Sequence, residues 1–237
     1  SQTINNLLDR IENTIEREKQ FTSDASHELR TPLTVIKGTL EVLIRKPRNQ
    51  EEYLEKINFC VSEVNRLNHL VDELLLLARF ENQNQSLKIE KVCLNATILD
   101  AISRYSSQIQ EKKIHITTEF IKEYYVNSDA YLLSIIINNL VSNALKYSNK
   151  NTTLNIVLTD KKEGIECQII DSGIGIPEED LKKIFNQFYR SKSIEHSGIK
   201  GTGLGLSIVK RLSTLLHIDI KIISKENTGT TVFLSFP

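Results

Sequence analysis

The sequence predicts an antiparallel helical hairpin that pairs with a second copy into a four-helix bundle, followed by an α/β domain whose helices cover one face of a mixed sheet. Three observations carry this prediction. Apolar residues recur at heptad spacing through the first eighty positions, a polar aperiodic stretch from Asn82 to Ser86 then interrupts them, and beyond it short β-like runs alternate with helical stretches. The composition fits a folded chain: 237 residues with 30 Lys+Arg, 30 Asp+Glu and 40% hydrophobic residues suffice to bury a core in one or two domains.

Ile4, Leu8, Ile11 and Ile15 step by four, three and four, the seam of a coiled coil. The stripe returns as Ala25, Leu29, Leu33, Ile36, Leu40 and Leu43, so one helix covers 2–45. Pro47-Arg48-Asn49 marks a turn. A second seam follows as Tyr53, Ile57, Cys60, Val64, Leu67, Val71, Leu74 and Ala78, antiparallel to the first. Val61, Leu70, Leu75, Leu76 and Leu77 make this stripe wider than one partner helix can cover. Pairing two hairpins as a homodimer through 1–81 buries it; the alternative is a hairpin packed on its own C-terminal domain. A linker is expected over 82–90 and an α/β domain over 91–237. Within that domain, strands are expected near 92–94, 114–120, 154–159, 165–170, 218–223 and 230–236, and helices near 96–111, 130–147, 178–185 and 203–216.

Zero formal net charge gives no cationic footprint for nucleic acid. The longest clean apolar run, Leu74 to Ala78, is far short of a bilayer span, and the first twenty residues are charged throughout, unlike a signal peptide. Cys60, Cys93 and Cys167 are scattered, which indicates neither a disulfide framework nor a zinc site and suits a reducing compartment. Met is absent even at position 1, so the chain is expected to be a piece of a longer protein.

The chemistry-bearing residues lie in five blocks. In the first helix His27 stands two positions from Ala25 and Leu29, which turns its ring away from the seam toward water. Glu28 borders it, Arg30 and Thr31 share its face, and Pro32 deletes the backbone bond to the Glu28 carbonyl, predicting a kink one residue beyond the histidine. In the helix near 130–147, Asn139, Asn143, Lys146 and Tyr147 lie on adjoining ridges; amide oxygens and an ammonium suit a magnesium-triphosphate. The strand near 165–170 runs into Asp171-Ser172-Gly173-Ile174-Gly175-Ile176, where a carboxylate accepts from an exocyclic amine and the glycines admit a flat base. Gly201-Thr202-Gly203-Leu204-Gly205 opens a helix, whose backbone N–H groups favour phosphate. Between these blocks lie Phe188-Tyr189-Arg190 and a polar stretch, 191–200, with the composition of a mobile lid. Taken singly, each block reads equally well as a solvated side chain or a tight turn. His69, His115, His196 and His217 show no metal-ligand spacing.

In this order and at these spacings the blocks resemble the N, G1, F and G2 boxes of the ATP-binding domain of two-component sensor histidine kinases, and the stretch around His27 resembles that family's H box. The resemblance implies an ATP site of the type shared with gyrase, heat-shock chaperone and mismatch-repair ATPases. It implies that Asn143 coordinates Mg²⁺, Asn139 supports the phosphates, Lys146 contacts phosphate, Tyr147 stacks near adenine and Asp171 binds the adenine amino group. Gly173, Gly175, Ile176 and Tyr189 complete that site, and Arg190 with Gly201, Thr202, Gly203, Leu204 and Gly205 holds the phosphate chain under the lid. His27 becomes the phosphoacceptor, Glu28 its orienting base, and Thr31 the residue that positions water when a phosphorylated partner is dephosphorylated. That partner is the receiver domain of a response regulator on another chain, and the resemblance places this chain in the cytoplasmic portion of a membrane-bound bacterial sensor. Leu216-His217-Ile218-Asp219 stands where the family often has a glycine pair, and the lid is short. The alternatives are an ATP hydrolase of the gyrase or chaperone branch, and a dimeric scaffold that binds nucleotide without turnover.

Overall fold

The computed structural model describes residues 2–81, 86–162, 164–191, 199 and 201–237. Its contacts divide into two compact units, Ser1–Leu76 and Leu77–Pro237. The first is built from α1 (Gln2–Ile44) and most of α2 (Gln50–Glu81). Helix α1 runs through Pro32, which is buried. The turn residue Asn49 caps α2: its Oδ1 accepts from the Glu52 amide at 2.8 Å, and Glu51 and Glu52 place negative charge on the first turn. Leu43, Cys60 and Leu70 are buried, whereas Ile11, Ile15, Leu33 and Leu40 on α1 and Ile57, Val61, Val64 and Val71 on α2 remain more than a third exposed in the single chain.

The second unit contains β1 (Ile89–Cys93), α3 (Leu94–Arg104), α4 (Ser106–Lys112), β2 (His115–Phe120), β3 (Tyr125–Asp129), α5 (Ala130–Tyr147), β4 (Thr153–Lys161), β5 (Gly164–Asp171), α6 (Glu178–Leu181), α7 (Gly205–Leu215), β6 (Asp219–Lys225) and β7 (Gly229–Phe236). Among the described residues the main sheet has the order β2-β4-β5-β7-β6, with β2 parallel to β4 and the other pairs antiparallel. This is the expected mixed sheet. Leu154, Ile156, Leu158, Cys167, Ile169, Val232 and Leu234 alternate along their strands onto one buried face. Helix α5 packs on α3, α7 and β5, burying Leu133, Ile136, Ile137, Leu140, Val141 and Leu145. Each such side chain stabilises by roughly 1.5–3 kcal/mol. That apolar stripe fixes the rotation of α5 and therefore the side on which Asn139, Asn143 and Lys146 stand.

Several boundaries differ from expectation. Strand β3 was not expected: Asn127-Ser128-Asp129 has the composition of a turn, but Val126 and Ser128 are buried while the strand pairs antiparallel with β1. Strand β1 starts at Ile89, inside the stretch expected as linker, of which 82–85 lie outside the described residues. The helix expected at 96–111 is split into α3 and α4 at Tyr105, whose backbone leaves helical geometry. That expected at 178–185 stops at Leu181 and continues as turns on the Asp180 carbonyl.

The C-terminal end of α5 is held from α4. Lys112 Nζ donates to the carbonyls of Leu145, Lys146 and Ser148 at 2.8, 2.9 and 2.8 Å. A cation there satisfies orphan carbonyls and complements the helix dipole. Burial pushes the lysine's pKa down, against the pull of Glu111.

Candidate active site

A cleft open to solvent lies in the second unit between α5, the ends of β5 and β7, and the segment before α7. At its floor stands Asp171. Oδ1 accepts from the amides of Gly173 at 2.9 Å and Thr230 at 3.2 Å, so among the described residues Oδ2 keeps its lone pairs for a donor entering the cleft. Burial pushes this carboxyl up to about 6, opposed by those two amides. Tyr147 also lines the cleft; burial pushes its phenol up and Arg190 pulls it back, which leaves the hydroxyl protonated as a donor.

The loop after Asp171 is clamped from the β6–β7 hairpin. Ile176 N donates to Ser224 Oγ at 2.8 Å, and Asn227 N donates to the Ile174 carbonyl at 2.6 Å. Gly175 adopts φ +68, and a Cβ there would overlap the Lys225 carbonyl. Gly173 similarly faces the Tyr147 carbonyl at 2.6 Å from its would-be Cβ. The Cβ direction at both glycines is therefore filled by the protein's own backbone, while Gly175 also lines the cleft.

Asn143 brings the polar side of α5 to the cleft. A Cβ at Gly205 would stand 2.7 Å from Asn139 Oδ1 and 4.0 Å from Asn143 Nδ2, and one at Gly201 would overlap Lys146 Nζ. These two glycines bring the start of α7 against the helix that carries both amides and the ammonium. Asn139 spends one Nδ2 hydrogen on the Ile135 carbonyl at 3.0 Å. Leu204 is fully buried, and its N–H donates to Thr202 Oγ1 at 3.3 Å. Tyr189 Oη donates to the buried Asp180 at 2.5 Å, and Arg190 Nη2 donates to the Ile199 carbonyl at 2.6 Å. The remainder of the expected lid, 192–198 and Lys200, lies outside the described residues, as does His196.

In the helical unit His27 is exposed, as its position off the seam predicts. Thr31 Oγ1 donates to the His27 carbonyl at 3.0 Å. Glu28 reaches across to α2, with Oε2 3.8 Å from Arg66 Nη2.

Asn143, Tyr147, Asp171, Gly175, Ile176, Tyr189 and Arg190 thus line one cleft. Asn139, Lys146, Gly173 and the Gly201–Gly205 stretch are not among the residues that line it, although Gly201 and Gly205 stand against Lys146 and Asn139. Sequence reasoning missed Leu140, Ala144, Ile169, Ile184, Ile222, Thr230 and Val232, which also line it. The alternation of β5 and β7 signalled an inward face for Ile169 and Val232; nothing local signalled Thr230, which meets Asp171 from 59 positions away. Among the described residues no group of three His, Cys, Asp or Glu side chains is placed to hold a metal ion.

Comparison with known proteins matches residues 17–83 to the His Kinase A (phospho-acceptor) domain, and 128–237 to the histidine kinase-, DNA gyrase B- and HSP90-like ATPase. The signal transduction histidine-protein kinase ArlS of Staphylococcus epidermidis is 34% identical over 238 residues, covering 99% of this chain and 52% of the relative. The sensor-like histidine kinase SenX3 of Mycolicibacterium smegmatis is 32% identical, covering 92% of this chain and 57% of the relative. The chain therefore spans about half the length of the relatives it matches. Among solved structures, histidine kinase ThkA in complex with response regulator protein TrrA aligns with TM-score 0.74 at 25% identity, over 96% of this chain and 66% of that one. Acinetobacter baumannii histidine kinase AdeS aligns with TM-score 0.69 at 25% identity, over 89% of this chain and 98% of that one.

Proposed function

The chain belongs to the two-component sensor histidine kinases, and from that premise we propose that it phosphorylates its own His27 from ATP and passes the phosphoryl group to an aspartate of a response-regulator receiver domain. The observation that carries the reading is the exposed His27, followed directly by Glu28, in a chain whose other unit holds a cleft lined by Asn143, Tyr147, Asp171 and Arg190. The complex of ThkA with TrrA supports the nature of the partner. The exposed stripes of α1 and α2 support a homodimer through 1–81, with 82–90 as the linker to an ATP-binding domain over 91–237.

A neutral imidazole keeps a lone pair on one ring nitrogen. With Glu28 taking the Nδ1 proton, Nε2 attacks the γ-phosphorus of ATP; an N–P bond forms, the bond to the bridging oxygen breaks, and ADP leaves. In such a loose transfer the protein's work is positioning and charge neutralisation. Asp171 Oδ2 accepts the adenine amino hydrogen, Tyr147 flanks the base, and Lys146, Arg190 and the N-terminus of α7 face the phosphates. Asn143, which lines the cleft, would offer its amide oxygen to magnesium, a hard cation that prefers oxygen ligands. When bound, that ion neutralises charge on the phosphate oxygens. Thr31 is the residue that positions water when the regulator is dephosphorylated.

Incubation with γ-labelled ATP tests the proposal. The wild-type chain is expected to take up acid-labile, base-stable label and His27→Gln to take up none. Label retained in the variant would move the phosphoacceptor elsewhere, and steady phosphate release with no phosphoprotein would favour the hydrolase alternative.

A further inference from the structure

Glu63 on α2 is buried, with 3% of its surface exposed, at a helix position that phosphotransfer as described leaves unused. A buried carboxylate needs a counter-charge. Arg66, three residues on, supplies it: Nη1 lies 3.4 Å from Glu63 Oε2. The same guanidinium extends Nη2 to 3.8 Å from Glu28 Oε2 on α1. One planar cation therefore spans two carboxylates on two helices, within a single compact unit.

We propose that Arg66, seated on the buried Glu63, is a positioning residue for phosphotransfer: it holds Oε2 of Glu28 so that Oε1 is the oxygen left to take the Nδ1 proton of His27. The proposal rests on Glu28 being that base. Neighbouring residues on a helix diverge by about 100°, so Glu28 does not face the His27 ring unaided, and free rotation about its torsions turns the carboxylate away for most of the time. Arg66 removes part of that freedom from the opposite helix. Stability is not the main yield of the contact, because Arg66 and Glu28 retain 27% and 32% of their side-chain exposure and such pairs contribute little to folding. Orientation is. The fork geometry matters as well: an ammonium on a flexible stem is a point charge and does not present two donors in fixed directions to two separated carboxylates.

The test measures phosphohistidine formation in the 237-residue chain over a range of ATP concentrations. Arg66→Met is expected to lower the maximal rate about tenfold, the usual scale for losing a group that orients a reacting one, with the ATP KM unchanged. In a Glu28→Gln background the same substitution is expected to cause no further loss, since the group it acts through is gone. Arg66→Lys, which keeps the charge without the fork, is expected to fall between. Equal further slowing in the Glu28→Gln background, a KM that rises with the loss of rate, or a wild-type rate for Arg66→Met would each overturn the proposal. Should the methionine variant lose its helical circular dichroism, the comparison of Arg66→Lys with wild type, with and without Glu28→Gln, decides in the same way: coupling sustains the proposal and additivity overturns it. A wild-type chain that takes up no label on His27 would instead overturn the kinase reading, a distinct outcome.

Discussion

Burial holds the Asp171 carboxyl up to about 6 against two amide hydrogen bonds, so in the folded chain it gives up its proton later than in the unfolded one, where the ordinary value is 3.8. Its stabilising contribution is therefore complete below pH 3.8 and is lost as the pH rises through about 6. In the proposed nucleotide site binding runs the other way, because an adenine amine needs the ionised acceptor. Affinity measured by calorimetry is expected to be flat above pH 6 and to fall about tenfold per unit beneath it. Asp171→Asn is expected to abolish that step and to bind on the order of 100-fold more weakly, the scale of one buried charge-assisted hydrogen bond; a pH step retained in the variant would assign it to another group. The exposure of His27 and the placement of Asn143 and Asp171 along one cleft were legible in the sequence because each is a chemically distinctive side chain in a patterned neighbourhood. Thr230, Ser224, Lys112 and Arg66 were not, because what each does is set by a partner brought in from a distant part of the chain, and their own surroundings are ordinary.

At the scale of elements, α5 joins the apolar core to the cleft, and Lys112 is the clasp on its last turn. Lys112→Met removes three hydrogen bonds to carbonyls at once. The loss is expected to cost about 1–3 kcal/mol and to lower the melting temperature of the second unit by several degrees in calorimetry, while the helical unit melts as before. An unchanged transition would mean that water replaces the ammonium without loss. The long helices and α5 were legible because their apolar period runs over many turns. Strand β3 was not: Asn127 and Asp129 favour turns, and only the antiparallel partner β1 makes that segment extended. Nor was the stop of α6, where turns built on the Asp180 carbonyl take over from the helix.

For the whole molecule, the heptad stripes of α1 and α2 show more apolar surface than a lone hairpin keeps in water. Light scattering is expected to give twice the 27.1 kDa of one chain. Val64→Glu combined with Val71→Glu, both on the exposed side of α2, is expected to yield monomers that keep their nucleotide affinity. A monomeric wild type would remove the four-helix bundle. The exposed apolar width of α2 was legible from its stripe, whereas the strand order was not, since the parallel β2–β4 pair passes over β3 and depends on contacts that no local pattern encodes. The clamp on the Asp171 loop bears on how the protein can be engineered. Surface hairpin tips are ordinarily where a chain accepts extra residues, but the tip from Lys225 to Gly229 lends its backbone to Ile174, Gly175 and Asp171. A fluorescent reporter or affinity tag spliced there would unseat the floor of a cleft whose other parts lie far off in sequence.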